Sequence, residues 1–385
     1  MIASSIEIHS KQPDLNLSIF AVMSKLASEH QAVNLSQGFP DFDPSPELVN
    51  LVAKYMKQGY NQYAPMPGVA ALREAIARKT NDLYGTSYDP GNEITVTAGA
   101  TEALYAAITS TVHPGDEVIV FEPWYDAYVP VIGYNGGKPV FIKMKLPDYH
   151  IDWTEVKNAV TGKTRAIIIN SPHNPSGKTL STSDIQSLKS IVSGTNIIII
   201  SDEVYEHIIF DGRDHLSMSR YPDLAARSMV ISSFGKTYHT TGWKVGYCLA
   251  PKELTDEFRK IHQFITYAVN TPVQYAYAEF LSKKDLYMGL SDFYQKKRDL
   301  FLDLIKGSRF NVLSCRGTYF QLLDYSGISD EKEMDFAIRL TKEYQIASIP
   351  TSVFYNQNDN NHVLRFCFAK KEETLKKAAE KLCRI

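Results

Sequence analysis

At 385 residues the chain exceeds what one hydrophobic core usually organises, so two units sharing an interface are expected. Apolar residues make up 44% and charged residues 22%, which excludes a disordered or fibrous polymer. A net charge of −2 leaves no basic footprint for nucleic acid or an anionic membrane surface, and no apolar run is long enough to span a bilayer.

The opening Met1-Ile-Ala-Ser-Ser lacks the basic-then-apolar layout of a secretory signal. Cys248, Cys315, Cys367 and Cys383 form no CxxC pair, so neither a metal site nor a disulfide framework is expected. Reduced thiols in a cytoplasmic protein are the simplest expectation. Without a secretory signal, the sequons Asn16-Leu-Ser and Asn34-Leu-Ser carry no weight.

Strand-like and helix-like runs alternate through the middle of the chain, the pattern of an α/β sheet covered by helices. Ile94–Thr97 reads as a strand leading into a helical run at Thr101–Val112, and Glu117–Phe121 as the next strand. Arg165–Asn170 and Ile197–Ser201 are near-continuous apolar runs, as buried parallel strands should be. Between them, Ser181-x-x-Asp184 marks a helix start. Met229–Ser232 and Val245–Ala250 complete a mostly parallel sheet. Beyond about residue 280 the layout becomes α+β: a helix at Phe293–Ile305, then strands Thr318–Leu323 and His362–Phe368 around a helix at Lys332–Tyr344. The expected division is a large unit over 46–280 and a smaller unit made of 1–45 with 281–385, a substrate cleft lying between them.

Polar residues with chemical potential fall just after the strands, where open α/β sheets bind ligands. Lys236 lies in Ser232-Ser233-Phe234-Gly235-Lys236-Thr237, with Lys244 in Gly242-Trp243-Lys244-Val245-Gly246. An amine that condenses with an aldehyde, beside a hydroxyl (Ser233) and a second cation (Lys244) that hold a phosphate, is what pyridoxal 5'-phosphate (PLP) chemistry needs. Gly99-Ala100-Thr101 joins a strand to a helix and offers backbone N–H groups to that phosphate. Asp202 closes an apolar strand, placed to pair with a protonated pyridine nitrogen. Tyr205, three residues on, and Asn174, in the rigid loop Asn170-Ser-Pro-His-Asn-Pro-Ser-Gly, suit the ring's 3-oxygen. Each has a plainer reading: a helix-capping aspartate, a core tyrosine, an Asn-Pro turn. His173 has no partner motif and reads as structural. Of Trp124 and Tyr125, the latter is favoured to stack on the ring, against core packing of both. Tyr63, in a turn-rich loop, either reaches a phosphate in this subunit or a neighbour's, or is an ordinary loop residue. Arg365 interrupts the apolar Val363-Leu-Arg-Phe-Cys-Phe368; a buried guanidinium calls for a carboxylate, from the substrate or from an internal ion pair. Gly38 permits close backbone approach to a substrate, and Phe20 and Phe39 are candidates to line an apolar pocket.

Together these motifs resemble the fold-type I, PLP-dependent class I/II aminotransferases over about Ile19 to Leu382. Within that family the chain is most similar to the bacterial methionine aminotransferases and the kynurenine aminotransferase/cysteine-S-conjugate β-lyase group. The resemblance implies a large PLP domain with a smaller α+β domain, and a homodimer in which Tyr63 reaches the partner's phosphate. It implies ping-pong transfer of an amino group from an L-amino acid, methionine or aromatic, to a 2-oxo acid. Lys236, Asp202 and Tyr205 are then catalytic. Gly99, Ala100, Thr101, Tyr125, Asn174, Ser233, Lys244 and Tyr63 bind cofactor, and Gly38, Phe20, Phe39, Asn174 and Arg365 bind substrate. Lysine stands at position 244 where many members carry arginine, and Val269-Asn270 departs from the kynurenine-handling relatives. No second arginine suits a dicarboxylic side chain. A β-lyase would use the same residues; a non-catalytic PLP-sensing module would need a DNA-binding segment for which the N-terminus leaves no room.

Overall fold

Runs of isoleucine and valine build the centre of the molecule, because β-branched side chains pack well on both faces of a buried parallel sheet. In the computed structural model, which describes residue 7, residues 9–13 and residues 17–385, seven strands form this sheet. Their spatial order is Ile94–Thr97, Gly246–Leu249, Ser228–Ser233, Ile198–Asp202, Thr164–Asn170, Glu117–Glu122 and Lys138–Lys143. The run from Ser228–Ser233 to Lys138–Lys143 is parallel throughout, and Gly246–Leu249 is antiparallel to both of its neighbours. The residues Met1–Ser5 and Asn16 of the first sequon lie outside the described residues.

Alternate residues of each strand feed two cores, as the two-residue period requires. Ile167, Ile199 and Val230 belong to the larger core. Ile168, Ile200 and Ile231 face the other one, where helices Ala100–Thr111 and Lys252–Ile265 pack. The strand Lys138–Lys143 is absent from the expectations above. Pro139 breaks its apolar pattern, and proline is tolerated there because the strand lies at the sheet's edge.

A second sheet of four short antiparallel strands has the order Ile349–Pro350, Val363–Cys367, Phe320–Asp324, Asn311–Val312. Helices Leu290–Leu304, Glu333–Glu343 and Glu372–Leu382 accompany it. The expected strand at Thr318 starts two residues later, because Thr318 has φ +67° and takes the backbone out of the extended region. The start of the chain returns to this part of the molecule. Helix Ile19–Glu29 packs on Glu333–Glu343, and Val33–Asn34 pairs in parallel with Ile346–Ala347.

Among the described residues no helix is long and apolar enough to cross a membrane, and no group of His, Cys, Asp or Glu is placed to hold a metal ion.

Candidate active site

The carboxyl ends of the parallel strands open into one cavity. Gly99, Ala100, Thr101, Tyr125, Asn174, Asp202, Tyr205, Ser233, Lys236 and Lys244 all line it. An adjoining, more open part is lined by Phe20, Gly38, Phe39 and Arg365, and again by Tyr125, Asn174, Tyr205 and Lys236. The sheet thus gathers residues spread over most of the chain.

Lys236 sits in a short helix, Phe234–Thr237, directly after the strand Ser228–Ser233. Its Nζ donates to the Tyr319 hydroxyl at 2.8 Å and to the Gly38 carbonyl at 3.2 Å. Burial lowers its pKa to about 8, and the cations Arg365 and Lys244 push the same way while Asp202 opposes them. A fraction of the amine is therefore neutral near physiological pH, as a nucleophile and base requires.

Asp202 is the last residue of its strand and is paired on both sides, to Asn170 and to Ile231. Its carboxylate accepts from the Tyr128 hydroxyl at 2.6 Å and from the Val204 amide at 3.3 Å. Burial raises its pKa to about 6, with the Tyr128 hydrogen bond opposing that rise. The turn that follows carries Tyr205 and is pinned from behind. Glu203 accepts from Ser201 Oγ and the Met218 amide, and Glu206 accepts from Lys79 Nζ at 2.7 Å and the Tyr84 hydroxyl at 2.6 Å.

Gly99 caps the helix Ala100–Thr111 with φ +81°, a conformation that disfavours side chains. A β-carbon there would stand 3.3 Å from Lys244 Nζ, so glycine keeps open the space between the helix N-terminus and the cation. Ser233 and Thr241 line the same cavity. Asn170 Oδ1 accepts from the Asn174 amide N–H at 2.7 Å, while Asn170 Nδ2 donates to the Asp202 carbonyl at 2.9 Å. The Asn174 side-chain Oδ1 accepts from Arg365 Nη1 at 2.8 Å. His173 is buried with Nδ1 2.7 Å from Ser176 Oγ, and burial depresses its pKa to about 4. It is held by structure and does not line the cavity.

Arg365 is 1% exposed and forms no ion pair among the described residues. Nη2 donates to the Ser36 carbonyl at 2.9 Å, Nε has no partner, and the guanidinium lies 3.9 Å from the centre of the Phe320 ring and 5.1 Å from that of Phe20. A buried cation with an unused donor, beside an open cavity, is ready for an anion brought from outside. Phe20 is placed by its helix, whose capping Ser18 donates to Asp126. Gly38 lines the cavity, and packing also calls for glycine there: a β-carbon would meet the Phe320 ring at 2.6 Å.

Trp124 stacks on Phe141 with ring centres 4.9 Å apart and belongs to the core, whereas Tyr125 faces the cavity. Tyr63 is not brought into the cavity of its own chain. It is 84% exposed, edge-on to Tyr267, in a separate groove with Val269, Asn270 and Thr271.

The sequence reading missed Tyr128, Tyr319, Thr241, Asn170 and Phe320. Asn170 carried a usable signal, a polar residue closing a buried strand just as Asp202 does. Nothing local marks the other four.

The family model for aminotransferases of class I and II matches residues 30–382. A methionine aminotransferase of Escherichia coli is 50% identical over 374 residues, 97% of either chain. A kynurenine–oxoglutarate transaminase of Dictyostelium discoideum is 35% identical, over 96% of this chain and 94% of that one. A solved Escherichia coli structure reported to have a methionine aminotransferase function superposes with a TM-score of 0.96 at 49% identity, covering 99% of this chain and 100% of that one. Enzymes of this family work with PLP. The cavity fits that group: a glycine-opened helix N-terminus and Lys244 suit its phosphate, Asp202 its ring nitrogen and Lys236 its aldehyde.

Proposed function

This chain belongs to the class I and II aminotransferases, and on that premise we propose that it moves the amino group of methionine, and of aromatic amino acids, to a 2-oxo acid. Arg365 carries the reading. It is a fully buried guanidinium without an acidic partner among the described residues, and the only cation besides Lys236 lining the outer part of the cavity. One cation suits one α-carboxylate. Phe20, Phe39 and Phe320 around it favour an apolar side chain over a second carboxylate.

PLP, when bound, supplies an aldehyde carbon and an electron-withdrawing ring that carries the amino group between the two substrates. The amides of Gly99, Ala100 and Thr101, with Ser233, Thr241 and Lys244, would hold the phosphate. Tyr125 would cover a face of the ring. Asp202, kept ionised by Tyr128, would pair with the ring nitrogen. Tyr205 and the Asn174 side-chain amide would serve the ring oxygen. Arg365 clamps the substrate carboxylate beside the Gly38 loop. Lys236, freed as an amine in the cavity, would take and hold the substrate Cα proton, general acid-base catalysis worth about 10²–10⁴-fold. Because one substrate leaves before the other binds, ping-pong kinetics follow.

The same reading includes the division into units 46–280 and 1–45 with 281–385, and a homodimer in which exposed Tyr63 reaches the partner's phosphate. It also includes a cytoplasmic setting, supported by four free cysteines. A β-lyase reading is not favoured, since the relatives above are transaminases. The test is a screen of amino acids against 2-oxo acids with wild type and Lys236→Ala. Methionine should lead among donors and the variant should transfer nothing. Turnover by the variant at a wild-type rate would refute the assignment.

A further inference from the structure

The closest hydrogen-bond partner of Lys236 Nζ is a side chain with no role in the chemistry above. Nζ stands 2.8 Å from the Tyr319 hydroxyl and 3.2 Å from the Gly38 carbonyl oxygen. That hydroxyl is itself 2.6 Å from the same carbonyl. A carbonyl has no proton to give, so the hydroxyl donates to it. Its single hydrogen is then spent, and toward Lys236 the phenol oxygen only accepts.

Lys236 therefore meets two acceptors, each taking one N–H. An ammonium has three N–H groups, and a neutral amine has two and a lone pair. With two N–H groups turned to Tyr319 and Gly38, one position on nitrogen is left. It holds a proton in one state and the lone pair in the other. Through that position the amine exchanges a proton with the cavity it lines.

The backbone around Tyr319 is built to hold it. Thr318, just before it, has φ +67°, a conformation that β-branched residues rarely adopt. The Thr318 amide donates to the Ile208 carbonyl at 2.9 Å, and the Tyr319 carbonyl accepts from the Phe368 amide at 3.0 Å. The Tyr319 ring is fully buried, edge-on to Tyr205 at 5.1 Å and to Phe320 at 4.9 Å. Strain of this kind persists where the surroundings over-determine it, and it clusters at functional sites.

We propose that Tyr319, together with the Gly38 carbonyl, is a positioning residue that aims the free Lys236 amine during proton transfer. The proposal rests on the aminotransferase reading. The other titratable and charged groups facing Lys236 are Asp202, Lys244, Arg365, Cys367 and Tyr205.

Tyr319→Phe removes the hydroxyl and keeps the ring. In the full-length protein stripped of cofactor, capture of Lys236 by a small aldehyde with cyanoborohydride is followed against pH by peptide mass spectrometry. The midpoint falls by about half a unit or more, because the ammonium form loses an acceptor. In the holoenzyme kcat falls about 10–100-fold, KM stays within about twofold, and the isotope effect of Cα-deuterated methionine on kcat grows. A fluorinated tyrosine at position 319 is a weaker acceptor that leaves the packing as it is. It lowers the midpoint too, which decides the matter should the phenylalanine variant fail to fold. An unchanged midpoint with an unchanged isotope effect overturns the proposal. A wild-type protein that transaminates no amino acid overturns the functional reading instead.

Discussion

Replacing Tyr128 by phenylalanine deletes one oxygen atom and is expected to move the ionisation of Asp202 by more than a unit. The phenol donates to Asp202 Oδ2 over 2.6 Å, and with it in place burial holds the carboxyl at about 6. A hydrogen bond to a charged group contributes about 1.5–3 kcal/mol, and one pKa unit corresponds to about 1.4 kcal/mol. Losing the bond therefore raises Asp202 by about one to two units, to about 7–8. Only the carboxylate pairs with a protonated ring nitrogen. Wild-type affinity for PLP should thus decline as pH drops through about 6, and that of Tyr128→Phe as pH drops through about 7–8. At alkaline pH, where Asp202 is ionised in both, the two proteins should bind alike. Titrating cofactor-stripped, full-length protein with PLP across the pH range, by quenching of intrinsic fluorescence, measures this directly. Acid limbs that coincide in the two proteins would show that Tyr128 does not govern the charge on Asp202.

Two further substitutions probe the two ends of the cavity. Arg365→Ala removes the clamp for the substrate carboxylate, a charge-assisted pair worth about 1.5–3 kcal/mol, so KM for methionine should rise about 10–150-fold. The same variant should also melt somewhat lower than wild type, because Asn174 Oδ1, the Ser36 carbonyl and the Phe320 ring lose their buried partner; steady-state kinetics and calorimetry check the two halves. Gly99→Ala puts a side chain at φ +81° and 3.3 Å from Lys244 Nζ. A stability loss of about 1–3 kcal/mol and weaker PLP binding should follow, read from thermal melts with and without cofactor.

Much of this site could be read along the chain because its carriers are local. A buried strand is an apolar run, and a polar residue at its end stands out, as Asp202 does. Lys236 and Gly99 lie in short turns whose chemistry is written in adjacent residues, and Arg365 is conspicuous inside an apolar strand. Such signals depend on strand and helix periods and on turn preferences, which a few neighbouring residues determine. They are enough to name six of the sheet's seven strands and most of the cavity lining.

What only the tertiary structure decided are the contacts between distant segments. Tyr319 meets Lys236 across 83 positions and Gly38 across 281, and Tyr128 meets Asp202 across 74. The edge strand Lys138–Lys143 was hidden by Pro139, whose tolerance depends on where the strand lies in the sheet. The sequence leaves Tyr63 open between its own cavity, a neighbour's and an ordinary loop position, and the fold turns it outward. Period and turn chemistry act over a few residues, whereas which hydroxyl meets which amine follows from strand order and from how the second sheet packs on the first. No short stretch of sequence holds that information.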